Sequence, residues 1–390
     1  MNSPEAISES VKEFEIKKSI KIRMEKYYVD QATKNGLSSI NKVKSYLPLE
    51  LQPLHFRRNV AIAHLDLEPI IEKIAKGQEF VVVSGLNPSS SLTLGHKALF
   101  DLLLSLQQLG GRVFIPLTND ESLVDGKVDS LAKSRKIAME SILPDIIAMG
   151  FDKEKTHIYI DSEYPQLYNF AMHLSQFVSF NQLRQVFGDD SLLTPGQIFY
   201  RGVVQMAQIL LPQLPEFGGP KVTLIPVGID QHPYILLARD VARKIGMVPP
   251  SELVIRFLPS LLGPENKMSA SKPNTAIYLD DTSENIRKKI SHAYTGAVSS
   301  LDVYQDLGGI PEICSVFSLL NFHHSDDKFV NEIKLRYRHG QITMSELKEI
   351  TANYVCNLVE KHQSKRKENN IDPNNFILTT PLKSLTSYKC

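Results

Sequence analysis

Two short runs in this 390-residue chain combine residue types that handle phosphate. The first is Thr93-Leu94-Gly95-His96. Gly95 removes a side chain where a flat ligand approaches, and His96 offers a donor to a phosphate. The second is Lys267-Met268-Ser269-Ala270-Ser271, bracketed by Pro264 and Pro273. An ammonium beside two small hydroxyls, in a mobile loop, suits a moving polyphosphate. The charge neutralises a leaving pyrophosphate while hydroxyls and backbone N–H groups orient it. Taken singly, the first run also reads as a plain strand-to-helix turn and the second as a flexible surface loop. Together in one chain they are hard to explain as chance.

His96 must be delivered by a helix start. Phe80-Val81-Val82-Val83 reads as a buried strand, and Ser84 to Ser90 is a turn punctuated by Gly85, Asn87 and Pro88. Leu92, Leu94, Ala98 and Leu99, then Leu102 to Leu104, recur at helical spacing. A strand, a polar turn and a helix leave free N–H groups for an anion at the helix start. Gly110-Gly111 ends that helix, and Arg112 to Leu117 reads as a second strand, completing a βαβ unit. Pro116 is tolerable there because it falls near the strand exit. Ser134 to Met149 reads as a helix stopped at Gly150, and His157 to Ile160 as a third strand. A helical excursion follows over 164–186, then a fourth strand over 222–227, its turn at 228–231 and a helix from Ile235. Upstream, Leu67, Ile70, Ile71 and Ile74 stand at helical spacing. From about Thr282 strands cease and helices with polar faces take over. Residues 1–50 are polar and Lys-rich, an appended helix pair or a loosely held arm with a solvated face.

Composition sets the outer bounds. Hydrophobic content of 42% with 22% charged residues is that of a globular protein and excludes a mainly disordered one. A formal charge of +1 means that any nucleic-acid contact comes from a local patch. One such patch lies in 328–370, where nine Lys or Arg face five Glu. Cys314, Cys356 and Cys390 have no paired spacing, so neither a zinc site nor a disulfide framework is expected. No apolar run reaches bilayer length and the first ten residues lack a signal-peptide core, which points to a reducing, cytoplasmic setting without a membrane.

With both phosphate runs in view, the sequence resembles the class I aminoacyl-tRNA synthetases, and within them the tryptophanyl-tRNA synthetases of the eukaryotic and archaeal type. The resemblance runs from about Phe56 to Lys367. Its further pieces are Phe56-Arg57-Arg58, Pro88-Ser89-Ser90, Thr118-Asn119-Asp120-Glu121, Gly150-Phe151-Asp152, Gly228-Ile229-Asp230-Gln231-His232-Pro233-Tyr234, Arg239-Asp240 and Tyr337-Arg338-His339-Gly340. It implies an α/β fold: a Rossmann-like parallel-sheet catalytic domain with a helical insertion, followed by an all-α anticodon-binding domain. The partition expected is a polar extension over 1–50, a nucleotide-binding domain over 51–281 with a dimerisation insertion around 164–215, and a helical domain over 282–390.

The same resemblance implies ATP with magnesium as substrate, tryptophan, a tRNA partner of the tryptophan type, and a homodimer. His96, Lys267, Ser269 and Ser271 would be catalytic; Thr93, Gly95, His96, Lys267 and Met268 would hold the nucleotide. Glu121, Gln205, Asp230 and Gln231 would hold the amino acid. Lys348 would touch tRNA, with Tyr337 available to stack on a base. Four positions depart from the family pattern. Thr93 stands for a His and Leu86 for a glycine. Val83 and Pro116 occupy the positions that supply Tyr and Gln to the indole nitrogen, and neither has a side-chain hydrogen-bonding group. A site so altered implies an alternative to the ligase reading, a divergent homologue that keeps tRNA binding in a non-catalytic or regulatory role.

Overall fold

The computed structural model describes residues 4–188, 192–369 and 371–386, and the chain groups into two compact units. One unit holds the residues up to Lys34, Leu92–Leu99 and Phe257–Glu368; the other holds Asn35–Ser91, Phe100–Arg256 and the stretch from Asn369. These units divide the chain at other residues than the partition read from sequence. The segment Phe257 to Asp281 groups with the helical part, as does the N-terminal helix.

That helix, α1 (Pro4–Lys34), is a single element, neither a helix pair nor a loose arm. Its polar residues find partners in its own unit. The Glu13 carboxylate accepts from the Ser299 N–H at 3.1 Å and hydroxyl at 3.0 Å, Lys21 pairs with Glu312 at 3.7 Å, and the Lys17 ammonium donates to the Ala297 carbonyl.

The second unit is built on a seven-stranded sheet: β1 (Ser38–Ser39), β2 (Ala61–Leu65), β3 (Phe80–Val83), β4 (Gly111–Leu117), β5 (Thr156–Ile160), β6 (Thr223–Val227) and β7 (Ser251–Ile255). The spatial order is β1-β2-β7-β6-β3-β4-β5. The five strands from β7 to β5 are parallel, and β2 lies antiparallel on β7. From β3 the chain winds outward to β4 and β5, then returns to the other side for β6 and β7. The order therefore reverses between β3 and β6, which is where an open parallel sheet opens a crevice for ligands. Ser84 fastens that point by donating its hydroxyl to the Pro226 carbonyl at 3.0 Å. All four residues of β3 are buried, as three adjacent valines in a central strand require. Pro116 is the penultimate residue of β4; it lies past the end of β3 at Val83 but stays in register with Tyr159 of β5, and its carbonyl accepts the Leu86 N–H at 3.2 Å.

Helices α2 (Glu68–Ala75), α3 (Leu94–Gln108), α4 (Gln166–Ser175), α5 (Phe180–Phe187), α6 (Gln205–Leu210) and α7 (His232–Lys244) connect the strands. The first turns of α3 belong to the first unit. There, a short hairpin of β8 (Pro259–Ser260) and β9 (Gly263–Lys267) precedes the helices α8 (Ser283–Ser291), α9 (Ser315–His323), α10 (Asp327–Arg338) and α11 (Met344–Glu368).

Candidate active site

The first unit assembles the two phosphate runs. Thr93 stands just ahead of α3 and caps it. The His96 N–H donates to the Thr93 hydroxyl oxygen at 3.4 Å, and the Thr93 N–H donates to His96 Nδ1 at 3.1 Å. This reciprocal pair is a capping box with histidine in the place usually taken by Glu or Gln. Because Nδ1 accepts, Nε2 carries the ring hydrogen and is the nitrogen left to donate to a ligand. Burial, and next the Lys267 ammonium, push the His96 imidazole down to about 4. His96 is therefore a neutral donor at pH 7. Thr93 is 1% exposed, so its hydroxyl serves the cap and does not face a ligand.

Gly95 meets the second run directly. A Cβ built on it would lie 3.5 Å from the Met268 Cβ and 3.4 Å from the Thr93 hydroxyl, ordinary contact distances. Met268 is 7% exposed, while Lys267, which ends β9, rests its ammonium 4.7 Å from the centre of the Phe257 ring. Ser269 and Ser271 hydroxyls lie 3.0 Å apart. Lys267, Ser269, Ser271, Gly95 and His96 thus come from separate parts of the chain into one unit.

The second unit gathers the residues assigned to the amino acid. Gln205 donates to Gln231 at 2.9 Å, and Gln231 donates to Asp230 at 3.0 Å. Glu121 is half-buried and accepts the Thr118 hydroxyl at 2.7 Å. Beside it sits a group that sequence reasoning missed. Asp120 accepts from the Tyr168 hydroxyl at 2.9 Å and from the Glu121 N–H at 2.8 Å, and Gln208 donates to the fully buried Asp161. Burial raises both carboxyls, and the neighbouring Asp120 charge raises Asp161 further. Only the adjacency of Asp120 to Glu121 hinted at this group in the sequence.

Val83 is 2% exposed and Pro116 is buried, so both departures from the family pattern are packed apolar positions. Gly85 has no freedom beside them, since a Cβ there would fall 2.1 Å from the Pro116 carbonyl oxygen. Leu86 pairs its backbone with β4, donating to Pro116 and accepting from Thr118 at 3.2 and 3.0 Å.

Two assignments in the helical region meet the structure differently. Tyr337 is fully buried against Tyr304 and cannot stack on a base, which corrects the sequence reading. Lys348 is half-buried and its ammonium donates to the Ser291 carbonyl at 2.7 Å, closing the end of α8.

Residues 75–360 match the model of the family described as tRNA synthetases class I (W and Y). A tryptophan–tRNA ligase of Methanocaldococcus jannaschii is 35% identical over 319 residues, covering 80% of this chain and 85% of the relative. One from Saccharolobus solfataricus is also 35% identical, covering 80% and 81%. Among solved structures, a product-bound parasite tRNA synthetase aligns at TM-score 0.82 and 30% identity over 90% of this chain and 96% of that one. The tryptophanyl-tRNA synthetase of Aeropyrum pernix K1 aligns at 0.81 and 28% over 91% and 97%. The capped His96, the lysine loop against Gly95 and the reversal of strand order between β3 and β6 agree with these matches: the chain belongs to the class I aminoacyl-tRNA synthetases of the tryptophan and tyrosine family.

Proposed function

We propose that this chain is a tryptophan–tRNA ligase. The tryptophan carboxylate attacks the α-phosphorus of ATP, the bond from that phosphorus to the bridging oxygen breaks, and pyrophosphate leaves. The 2′- or 3′-hydroxyl of the tRNA terminal ribose then attacks the carbonyl carbon of the adenylate and AMP departs. Positioning and electrostatics supply the rate, without a covalent enzyme intermediate. His96 donates Nε2–H to a phosphate oxygen; Lys267, Ser269 and Ser271 take the charge that develops on pyrophosphate. Glu121, Gln205, Asp230 and Gln231 hold the tryptophan ammonium and carboxylate. Magnesium accompanies the triphosphate, which supplies its hard oxygen ligands. Among the described residues no group of three His, Cys, Asp or Glu is assembled for a metal.

The observation that carries this reading is the joining of Gly95-His96 to Met268 and Lys267 within one unit. ATP–pyrophosphate exchange tests it. Brisk tryptophan-dependent exchange that drops about 100-fold or more in Lys267→Ala is expected. Absence of exchange in the wild type, with tRNA still bound, would leave the non-catalytic reading instead. A second copy would cover the apolar residues that the insertion exposes, Met172 at 63% and Phe180 at 75%, and sedimentation of a monomer at micromolar concentration would exclude the dimer. Among the described residues no helix is long and apolar enough to cross a membrane.

A further inference from the structure

The loop that follows Lys267 is held at its ends by near neighbours and at its middle by a residue outside it. Met268 N–H donates to the Leu258 carbonyl at 2.8 Å, and the Thr275 hydroxyl lies 2.7 Å from the Lys272 carbonyl and 3.2 Å from that of Ser269. Between these anchors, the Tyr278 hydroxyl donates to the Ala270 carbonyl at 2.6 Å.

Tyr278 is itself fixed to the start of α3. Leu94 N–H donates to Ile277 and Leu279 N–H to Leu92, each at 2.9 Å, so Tyr278 lies directly opposite Thr93. Its ring is also set in place. The Lys289 ammonium lies 4.9 Å from the ring centre and pairs with Asp281 at 2.6 Å, while Asp281 accepts the Tyr278 N–H at 2.8 Å. A single side chain therefore reaches from the residue that caps α3 to the middle of the lysine loop.

We propose that Tyr278 is a latch, a positioning residue whose hydroxyl holds the 267–271 loop shut against the start of α3. In the latched state Met268 packs on Gly95, and Lys267 and His96 address one triphosphate. Releasing the Ala270 carbonyl frees the centre of the loop while its ends stay anchored, which is the motion that pyrophosphate departure needs. A phenylalanine would fill the same space and keep the Lys289 contact, but could not hold the carbonyl. The catalytic consequence rests on the ligase reading; the latch itself does not.

Tyr278→Phe separates the two. Elastase, which cuts after small residues, reaches the Ala270–Ser271 bond at the centre of the loop only when that centre opens. One lost hydrogen bond should raise the rate of that cut about fivefold, with the unfolding midpoint lowered by no more than about 2 °C. In pyrophosphate exchange kcat should fall about fivefold, with KM for tryptophan within twofold of wild type. Unchanged nicking, or nicking that rises equally at sites outside the loop, would overturn the latch. If wild type shows no exchange, the ligase reading fails, and the nicking comparison still decides whether Tyr278 holds the loop.

Discussion

Gly95 is a glycine that the protein's own packing does not require. Its Cβ would make only ordinary contacts, and its φ lies outside the left-handed region. Alanine favours a helix over glycine by up to about 1 kcal/mol. Gly95→Ala should therefore leave stability equal or higher, and on the proposed role of Gly95 under the nucleotide it should raise KM for ATP about tenfold. A variant that loses stability and keeps its ATP affinity would sink that assignment. His96 allows a second prediction. Its folded value of about 4 lies below the ordinary 6.5, so the unfolded chain binds a proton more readily in between. The stability that this brings is complete above about 6.5 and is lost as pH falls toward 4. NMR of the His96 ring should show the neutral form at pH 6 and a midpoint near 4. Lys267→Met should raise that midpoint only in part, since burial is the larger cause. A midpoint above about 7.5 in the wild type would remove the neutral-donor role at pH 7.

At the scale of elements, the turn that carries Asp230 and Gln231 rests on a buried pair. His232 opens α7, and its Nδ1 lies 2.7 Å from a carboxylate oxygen of Glu252 on β7. Glu252 is fully buried in a strand flanked by β2 and β6, and His232 is its side-chain hydrogen-bond partner among the described residues. Removing one member strands the other in a medium that solvates it poorly. His232→Ala should cost about 1–3 kcal/mol in urea unfolding, and His232→Leu with Glu252→Met should recover most of it. A single-variant cost below about 1 kcal/mol would show the pair to be dispensable. The same pair explains why β7 was illegible in the sequence. A glutamate two residues after Pro249-Pro250 gives no sign of a central strand, because the residue that hydrogen-bonds its carboxyl lies 20 positions away. β2 hid for a related reason: Ala61, Ala63 and His64 lack the β-branched run that made β3 plain. Gly95-His96 and Lys267 to Ser271 were legible because local types and spacing carry them. The Asp120–Asp161 pair was not, since only tertiary packing joins its members.

For the molecule as a whole, a charge of +1 leaves no general attraction for RNA, so affinity must be concentrated. The last turns of α11 supply a candidate: Lys361, Lys365 and Lys367 are exposed there. Basic residues at a helix C-terminus also suit the helix dipole, and that role alone would demand no ligand. Charge reversal separates the two. Each phosphate contact adds about one unit to the slope of log affinity against log salt. Lys361→Glu, Lys365→Glu and Lys367→Glu together should weaken tRNA binding about 100-fold and flatten that slope by about two to three, with pyrophosphate exchange unchanged. If affinity stays and only the unfolding midpoint drops, the lysines serve the helix and the tRNA surface lies elsewhere. The positions of Val83 and Pro116 add a prediction about choice of amino acid. With Val83 and Pro116 buried and apolar, neither can accept from an indole N–H, and recognition by shape alone separates related side chains by about 10- to 200-fold. Exchange measured with each aromatic amino acid should therefore show tyrosine and phenylalanine within that range of tryptophan. Val83→Tyr with Pro116→Gln should widen the gap. Discrimination near 10,000-fold in the wild type would mean that another polar group, Gln205 or Gln231, reads the indole.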